Sequence, residues 1–527
     1  MKRRDFLGKS IASGILPIAL NGYSIRALAE NPIIQFLGKA GNEDRVLVLI
    51  QLNGGNDGLN TVIPIDQYSN LNNARSNVII AQNKILGLTG TSATGLHPSM
   101  TDFRTMYNNG LVSIIQSVGY PSPNYSHFRS TDIWLTASDS NKYVNEGWMG
   151  RYLNLKYPGY PGNYPNTNDP DPPAIQIGAM ISPALQGTST SFGMSITDPN
   201  SFYQFINGTV DAAPNTPAGH ELTFVRLVAQ QTQAYSGSIK TAATKNTPAN
   251  KSTLYSTAGQ NSLSDQLKIV AQLIAGGLKT RVYMVSLGGF DTHSTQVVTG
   301  ATETGAHAVL MQKISQAANA FQDDLKQFGI EDRVLGMTFS EFGRRIKSNG
   351  SLGTDHGAAA PLFIFGKKVK GGIYGTNPII PTTVTTSDNV PMQFDFRSVY
   401  LSILKDWFEV SDTDLNNIMF KNFPSINFID VKTNSLAEAD FAQVESLSNY
   451  PNPAAYNTVI RFNTSGGNIK IRLFDSTGKE IAILSEGHFA RGQHEVNVNV
   501  ESFTNGMYYY QLQSGSKQMM KSMVIAR

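Results

Sequence analysis

Five short apolar runs, each followed by a glycine-containing polar loop, recur along the first 430 of the 527 residues. A strand without polar alternation is buried on both faces, and such strands are typical of parallel sheets. Residues 307–328 have the apolar spacing of an amphipathic helix. The alternation predicts an α/β fold with a doubly wound, mostly parallel sheet. The runs are Arg45–Leu52, Leu111–Val118, Arg281–Leu287, Arg333–Phe339 and Pro361–Phe365.

Polar side chains follow these runs, and open α/β sheets bind ligands at the carboxyl ends of their strands. Asp57 follows the first run, Asp291 and His293 the third, and Glu341 the fourth, while His356 precedes the fifth. Each has a simpler interpretation as a turn or helix-capping residue. Their shared placement predicts that they converge on one metal ion or a pair of ions. Because the chain has no cysteine, such a metal needs nitrogen or oxygen ligands.

Two further residues are candidates for catalysis at the same edge. Ser126 lies at the start of a predicted helix, where the helix dipole favours a nucleophile or a bound anion. A serine in this position is more commonly an ordinary helix cap. Arg344 follows the fourth run and could bind an anionic group in a bidentate manner, or lie at a solvated helix start.

A family resemblance is carried by five segments, Leu52–Asn60, Tyr125–Ser130, Gly289–His293, Ser340–Arg344 and Thr354–Gly357. Together they resemble the "domain of unknown function 1501" family, over roughly residues 45–410. That family is similar to the alkaline phosphatase and sulfatase superfamily, so the resemblance implies an alkaline-phosphatase-like fold. It also implies a nucleophile at Ser126, or as a second choice Ser130, with Asp57, Asp291, His293 and His356 as metal ligands.

Phe342 stands where the superfamily has a metal-binding histidine, and a phenyl ring cannot coordinate a metal. One metal site could remain, formed by Asp291, His293 and His356. A second site, formed by Asp57 and Glu341, would be rich in oxygen and would suit Mg, Ca or Mn better than Zn. Either the metal differs from that of the superfamily, or the hydrolytic site has decayed.

The amino terminus has the parts of a signal peptide over residues 1–29: an Arg3-Arg4 pair, a short apolar run and Ala27-Leu28-Ala29. The pattern resembles a twin-arginine signal, which is recognised by the twin-arginine export machinery and carries folded proteins into the periplasm. An ordinary secretory signal with two arginines is the alternative. We expect no stable transmembrane segment elsewhere.

The carboxyl terminus changes to short segments with period-two apolar spacing, which predict a small β-sandwich. Tyr450-Pro451-Asn452-Pro453, Gly506–Tyr510 and the basic end resemble the sorting domain of the type IX secretion system. A carbohydrate-binding or structural β-module is the alternative. The predicted divisions are a signal peptide at 1–29, an α/β domain at 40–430, a linker at 431–447 and a sorting domain at 448–527.

These features predict a protein that passes through the periplasm to the cell surface or the medium, using the type IX secretion machinery. The predicted activity is metal-dependent hydrolysis of phosphate or sulfate esters, with a divalent ion (Ca, Mg, Mn or Zn) as cofactor and an anionic ester or polysaccharide as substrate. The alternative is a non-catalytic surface binding protein on a degenerate hydrolase scaffold. A net charge of +3 and the lack of a long basic stripe argue against nucleic acid as a partner.

Overall fold

The computed structural model describes residues 44–199, 233–430, 444–464, 467–476, 478–490, 492–514 and 517–527. The chain divides into a large unit that ends at Asp430 and a carboxyl-terminal unit that begins at Val431. The predicted signal peptide lies outside the described residues, as does most of the predicted linker. Strand Val444–Tyr450 begins within the segment predicted as linker. None of the described helices is both long enough and apolar enough to cross a membrane.

The large unit alternates strands and helices in the predicted way. Its strands are β1 (Val46–Leu52), β2 (Val62–Pro64), β3 (Leu86–Leu88), β4 (Thr91–Leu96), β5 (Val112–Gly119), β6 (Ala174–Ile177), β7 (Gly193–Ile196), β8 (Val282–Leu287), β9 (Val334–Phe339), β10 (Arg344–Ser348), β11 (Thr354–His356), β12 (Ala360–Phe365), β13 (Gly372–Tyr374) and β14 (Phe394–Asp395). Its helices are α1 (Gly58–Thr61), α2 (Tyr68–Arg75), α3 (Thr101–Asn108), α4 (His127–Thr136), α5 (Trp148–Lys156), α6 (Ser262–Ala275), α7 (Ala306–Gln327), α8 (Phe396–Ser402) and α9 (Asp412–Met419).

The main sheet has the order β13-β5-β12-β9-β1-β8-β6-β7, with β14 also paired to β5. The pairs β1–β8, β1–β9, β6–β8 and β5–β13 are parallel, whereas β12 is antiparallel to both β5 and β9. The five predicted apolar runs correspond to β1, β5, β8, β9 and β12. The predicted α/β fold with a mostly parallel sheet is therefore confirmed.

Burial on both faces explains why these strands lack polar alternation. Val46, Val48 and Ile50 of β1 belong to a core that includes side chains of α3, α6 and α7. Leu47 and Leu49 point to the opposite face and are equally inaccessible. Helices α4 and α8 contribute to that second face, where the Trp134 ring stacks on those of Phe339 and Phe396.

The carboxyl-terminal unit consists of two antiparallel sheets, β15-β16-β19 and β18-β17-β20-β21. Both sheets contribute to one apolar core, for example through Ile460 and Phe462 from the first and Ile471 and Leu473 from the second. This arrangement confirms the predicted β-sandwich. The strands are β15 (Val444–Tyr450), β16 (Asn457–Thr464), β17 (Gly467–Phe474), β18 (Glu480–Phe489), β19 (Gly492–Asn499), β20 (Gly506–Ser514) and β21 (Lys517–Ile525).

Candidate metal centre

The ends of neighbouring strands bring the site loops together. Leu52 of β1 pairs with Leu287 of β8, and the preceding Gln51 pairs with Phe339 of β9, so the loops after these three strands leave the sheet at one edge. Because β12 runs in the opposite direction, the residues before it lie at this edge as well. The loops approach each other closely: a Cβ atom added to Gly54 would lie 2.3 Å from the backbone nitrogen of Asp291.

Three imidazoles and one carboxylate meet at this edge. The Nε2 atoms of His293 and His356 are 2.8 Å apart, and they lie 3.2 and 3.4 Å from Oδ1 of Asp291. Nε2 of His127, the first residue of α4, lies 3.5 Å from Oδ2 of the same aspartate. His127, Asp291 and His356 have ligand atoms within 4.8 Å of one another. The four side chains are partly exposed, so the cluster opens to solvent.

The other ring nitrogen of each histidine is held by an acceptor. Nδ1 of His356 donates to the backbone oxygen of Tyr125 at 2.7 Å. Nδ1 of His127 lies 2.9 Å from Oε1 of Glu341, and Nδ1 of His293 lies 3.1 Å from Oδ1 of Asp355. An imidazole whose Nδ1–H donates to such an acceptor has its Nε2 lone pair available for a metal in the cluster.

The carboxylate of Asp291 and that of the neighbouring Asp355 are both held in the ionised form. Burial would raise the pKa of Asp291, but the Arg344 guanidinium, 2.8 Å away, keeps it below its ordinary value. A hydrogen bond from Asn349 lowers the pKa of Asp355. Burial lowers the pKa of His356, which favours its neutral, metal-binding form.

Glu341 was predicted as a metal ligand, and the structure places it beside the cluster as the partner of His127. The side chain is only 4% exposed. Its Oε1 accepts a hydrogen bond from the backbone nitrogen of Gly54 at 2.7 Å as well as contacting His127. Glu341 thus joins the loop after β9 to the loop after β1 and orients an imidazole.

Asp57, also predicted as a ligand, is engaged by other protein groups. Its two carboxylate oxygens lie 2.9 and 2.8 Å from Nη1 of Arg75, and Gln296 donates to it at 2.6 Å. Burial raises the pKa of Asp57, but the charge and hydrogen bonds of Arg75 outweigh this effect and keep it below the ordinary value. Gln296 in turn accepts hydrogen bonds from Thr292 and Thr354. Asp57 therefore fixes the loops that carry the histidines.

Arg344, predicted to bind an anion, begins strand β10 rather than a helix, and its side chain is fully buried. It donates to the backbone oxygens of Gly55, Thr354, Gly54 and Phe290 and to Asp291. These bonds tie three loops together at the base of the cluster.

Ser126 is exposed and precedes His127 directly, and its side chain makes no capping bond to the described residues of α4. Ser130 is buried instead, with its hydroxyl 2.7 Å from that of Tyr120 and donating to the backbone oxygen of Glu341. Of the two serines, Ser126 is the one that a substrate could reach.

Phe342 packs beneath the imidazoles. Its ring centre lies 4.4 Å from that of His356 and 5.0 Å from that of His127. It leaves no space for a side chain at Gly55, since an added Cβ would lie 2.3 Å from the phenyl ring. Phe342 therefore supports the imidazole rings of His127 and His356 by packing against them.

Sequence reasoning missed His127 and Asp355 as members of the site. His127 lies within the segment that carries Ser126, directly at the predicted helix start, and this position at the sheet edge was the available signal. Asp355 precedes His356 in the sequence, but nothing in the sequence indicates that it contacts His293.

A family model described as "Protein of unknown function (DUF1501)" matches residues 115–419, more than half of the chain. A second model, described as "Secretion system C-terminal sorting domain", matches residues 448–526. The sorting domain indicates that the protein is secreted or displayed at the cell surface through the type IX machinery. None of the curated proteins compared with the chain matches it.

Similar solved structures include a protein of Bacteroides thetaiotaomicron described in the metabolism of multiple glycosaminoglycans, with 9% identity and a TM-score of 0.32 over 84% of this chain and 89% of that one. Another is a 2-O GAG sulfatase, with 8% identity and a TM-score of 0.28 over 87% of this chain and 88% of that one. At these scores, neither structure bears on the chemistry of this chain.

Proposed function

The chain belongs to the family described as protein of unknown function DUF1501, and from its site we propose that it is an exported, metal-dependent hydrolase of phosphate or sulfate esters. One observation carries the proposal. Three Nε2 atoms and a carboxylate converge, while each Nδ1 is held by a carboxylate or backbone oxygen. Metal-binding histidines in proteins typically have this second hydrogen bond.

The donor set fits a divalent transition metal. His127, His293, His356 and Asp291 would hold the ion, supplying three nitrogens and one carboxylate. Imidazole donors suit Zn and related transition metals, whereas Ca and Mg prefer oxygen ligands. Among the four metals expected from the sequence, this set favours Zn. Glu341 and Asp355 would orient their histidines from outside the coordination sphere.

A bound ion would polarise the ester oxygens and stabilise the charge that develops on them. Ser126 supplies the nucleophile: its exposed hydroxyl, next to His127 in the sequence, would attack phosphorus or sulfur and displace the alcohol. Water would then release the phosphate or sulfate. Arg344 acts on the loops rather than on substrate, since its guanidinium is buried and bonded to backbone oxygens.

The proposal is tested on purified protein lacking the signal peptide. Elemental analysis should find about one transition metal ion per chain, and the protein should hydrolyse 4-nitrophenyl phosphate or 4-nitrophenyl sulfate. His293→Ala and His356→Ala should lose both metal and activity. His494→Ala, in the sorting domain, is the matched control and should lose neither. Protein that holds no metal after reconstitution with Zn or Mn would refute the metal site.

A second candidate is a surface protein that binds ligand without turnover. Two points favour it: Phe342 stands where the family resemblance implies a metal-binding histidine, and the Arg344 guanidinium is bonded to backbone oxygens and to Asp291. In that case the protein would bind an anionic saccharide, but the 4-nitrophenyl esters would remain intact. Binding that persists in His356→Ala without metal would favour this alternative strongly.

The route of export is part of the proposal. We infer that residues 1–29 direct the folded chain through the twin-arginine machinery to the periplasm, where type IX secretion takes over. Folding in the cytoplasm would allow the metal to be loaded before export. Replacing Arg3 and Arg4 by lysine should retain the protein in the cytoplasm, as fractionation would show. Unchanged export would indicate an ordinary secretory signal.

A further inference from the structure

A cavity lies at the other end of helix α4 from the cluster of His127, Asp291, His293 and His356. Its volume is about 240 Å³, and it is formed by the loop after α4, by α8 and by the end of α9. Helix α4 spans residues 127–136, which places the cavity about 15 Å along the helix from His127. It is therefore separate from the site that the proposed hydrolysis uses.

The cavity walls combine apolar and cationic groups. Apolar lining comes from Ala137, Val144, Met419 and Phe420. Three cationic side chains, Lys142, Arg397 and Lys421, surround the single lining carboxylate, Asp139.

The charges in this group do not balance. Asp139 accepts from Arg397 at 2.6 Å and from Lys421 at 2.7 Å, and Lys142 lies 3.8 Å away. Arg397 also pairs with Asp395 at 2.7 Å. With Asp395 included, three cations face two carboxylates, so one positive charge is uncompensated. The two lysines are more than half exposed and can turn toward a ligand.

We propose that this cavity binds an oxyanion carried on an apolar body. The apolar lining takes the body, and the ammonium groups of Lys142 and Lys421 pair with the anion. Phosphate monoesters and carboxylates share this chemistry.

The test is calorimetric titration of the full mature protein, stripped of metal by a chelator, with phenyl phosphate, benzoate and inorganic phosphate. We expect one site that binds phenyl phosphate about tenfold more tightly than inorganic phosphate, because the ring buries apolar surface. Lys142→Met and Lys421→Met should each weaken binding about fivefold, because each removes one of the charges that pair with the anion. Comparing benzoate with phenyl phosphate shows which anion the site prefers.

Lys405→Met is the matched control, since Lys405 pairs with Asp412 and does not line the cavity. The Lys405→Met variant should bind phenyl phosphate with the affinity of the unaltered protein. The His293→Ala variant should also do so, because His293 does not line the cavity. Both lysines are more than half exposed, so replacing either one leaves the packing of the fold intact. Equal affinities for phenyl phosphate and inorganic phosphate, or binding unaffected by both lysine variants, would overturn the proposal. Because no metal is present, either result leaves the proposed hydrolase untouched.

Discussion

Oε1 of Glu341 lies 2.9 Å from Nδ1 of His127 and also accepts the backbone N–H of Gly54. Glu341 was predicted to bind metal, but its carboxylate contacts His127 instead. His127 was not among the predicted metal ligands. The pairing turns Nε2 of His127 toward Asp291. It makes Glu341 a positioning residue, whose role can be separated from that of a ligand.

Glu341→Ala should weaken metal binding about 10- to 100-fold, because His127 loses the acceptor that orients its ring. Glu341→Gln keeps an oxygen for both donors and should retain much of the affinity. Metal affinity is measured by competition with a coloured chelator. Glu331→Ala, at a partly buried carboxylate that pairs with Lys367 and accepts from Gln322, is the control. If the Gln variant loses metal as completely as His356→Ala does, Glu341 coordinates the ion directly.

Asp57→Asn should lower the free energy of unfolding by about 3–5 kcal/mol, since it leaves Arg75 as a buried charge without its partner. The refolded variant should keep its metal. Urea denaturation and elemental analysis of the same sample check both statements. Normal stability combined with lost metal would instead make Asp57 a ligand, as the sequence first indicated.

Two buried histidines should make the protein less stable in acid. Burial lowers the pKa of His97 to about 3 and that of His307 to about 4. Below pH 6.5 the unfolded chain therefore binds protons that the native protein does not, so stability falls as pH falls toward 4. We expect each histidine to cost about 2 kcal/mol between pH 7.5 and pH 5.

The measurement is urea unfolding at several pH values in the presence of a chelator, which removes any contribution from metal release. His307→Gln should show a shallower dependence of stability on pH than the unaltered protein, whatever its absolute stability. Asp57 and Arg75 face His307 in both proteins and do not produce the difference. Identical slopes would mean that His307 is protonated in the native protein.

Ser126→Ala should reduce hydrolysis of the nitrophenyl ester by about 10³-fold or more and leave metal content unchanged, because the hydroxyl is the proposed nucleophile. Ser130→Ala is the informative comparison. It removes buried hydrogen bonds to Tyr120 and to Glu341, so it should lower the free energy of unfolding by about 1–3 kcal/mol while activity largely survives. Full activity in Ser126→Ala would exclude this serine.

The sheet could be predicted because its strands are buried on both faces, and a short apolar run such as Val46–Leu52, ending in a glycine-rich loop, is typical of such a strand. The edge that carries the site followed from the same pattern. The direction of β12 could not be predicted, because a buried strand has the same apolar sequence whether it pairs in parallel or antiparallel. In the sorting domain, β15 was missed, since its sequence, VESLSNY, has little apolar alternation.

At the site, sequence reasoning placed Asp291, His293 and His356 among the residues that the structure gathers. It could not separate the residues of the cluster from the residues behind them. Asp57 and Arg344 are residue types that also occur as metal ligands or anion-binding groups. Only their contacts in the fold show that Asp57 pairs with Arg75 and that Arg344 bonds to backbone oxygens. Such partners lie up to hundreds of residues away in the chain.

The reversed direction of β12 also determines how part of the site is attached to the sheet. Strands β9 and β12 are neighbours in the sheet, so the chain leaves at Phe339 and returns at Ala360 beside its point of departure. That short excursion carries Glu341, Asp355 and His356. Because both its ends are anchored in paired strands, the sheet fixes where these three residues lie beside the loops after β1 and β8.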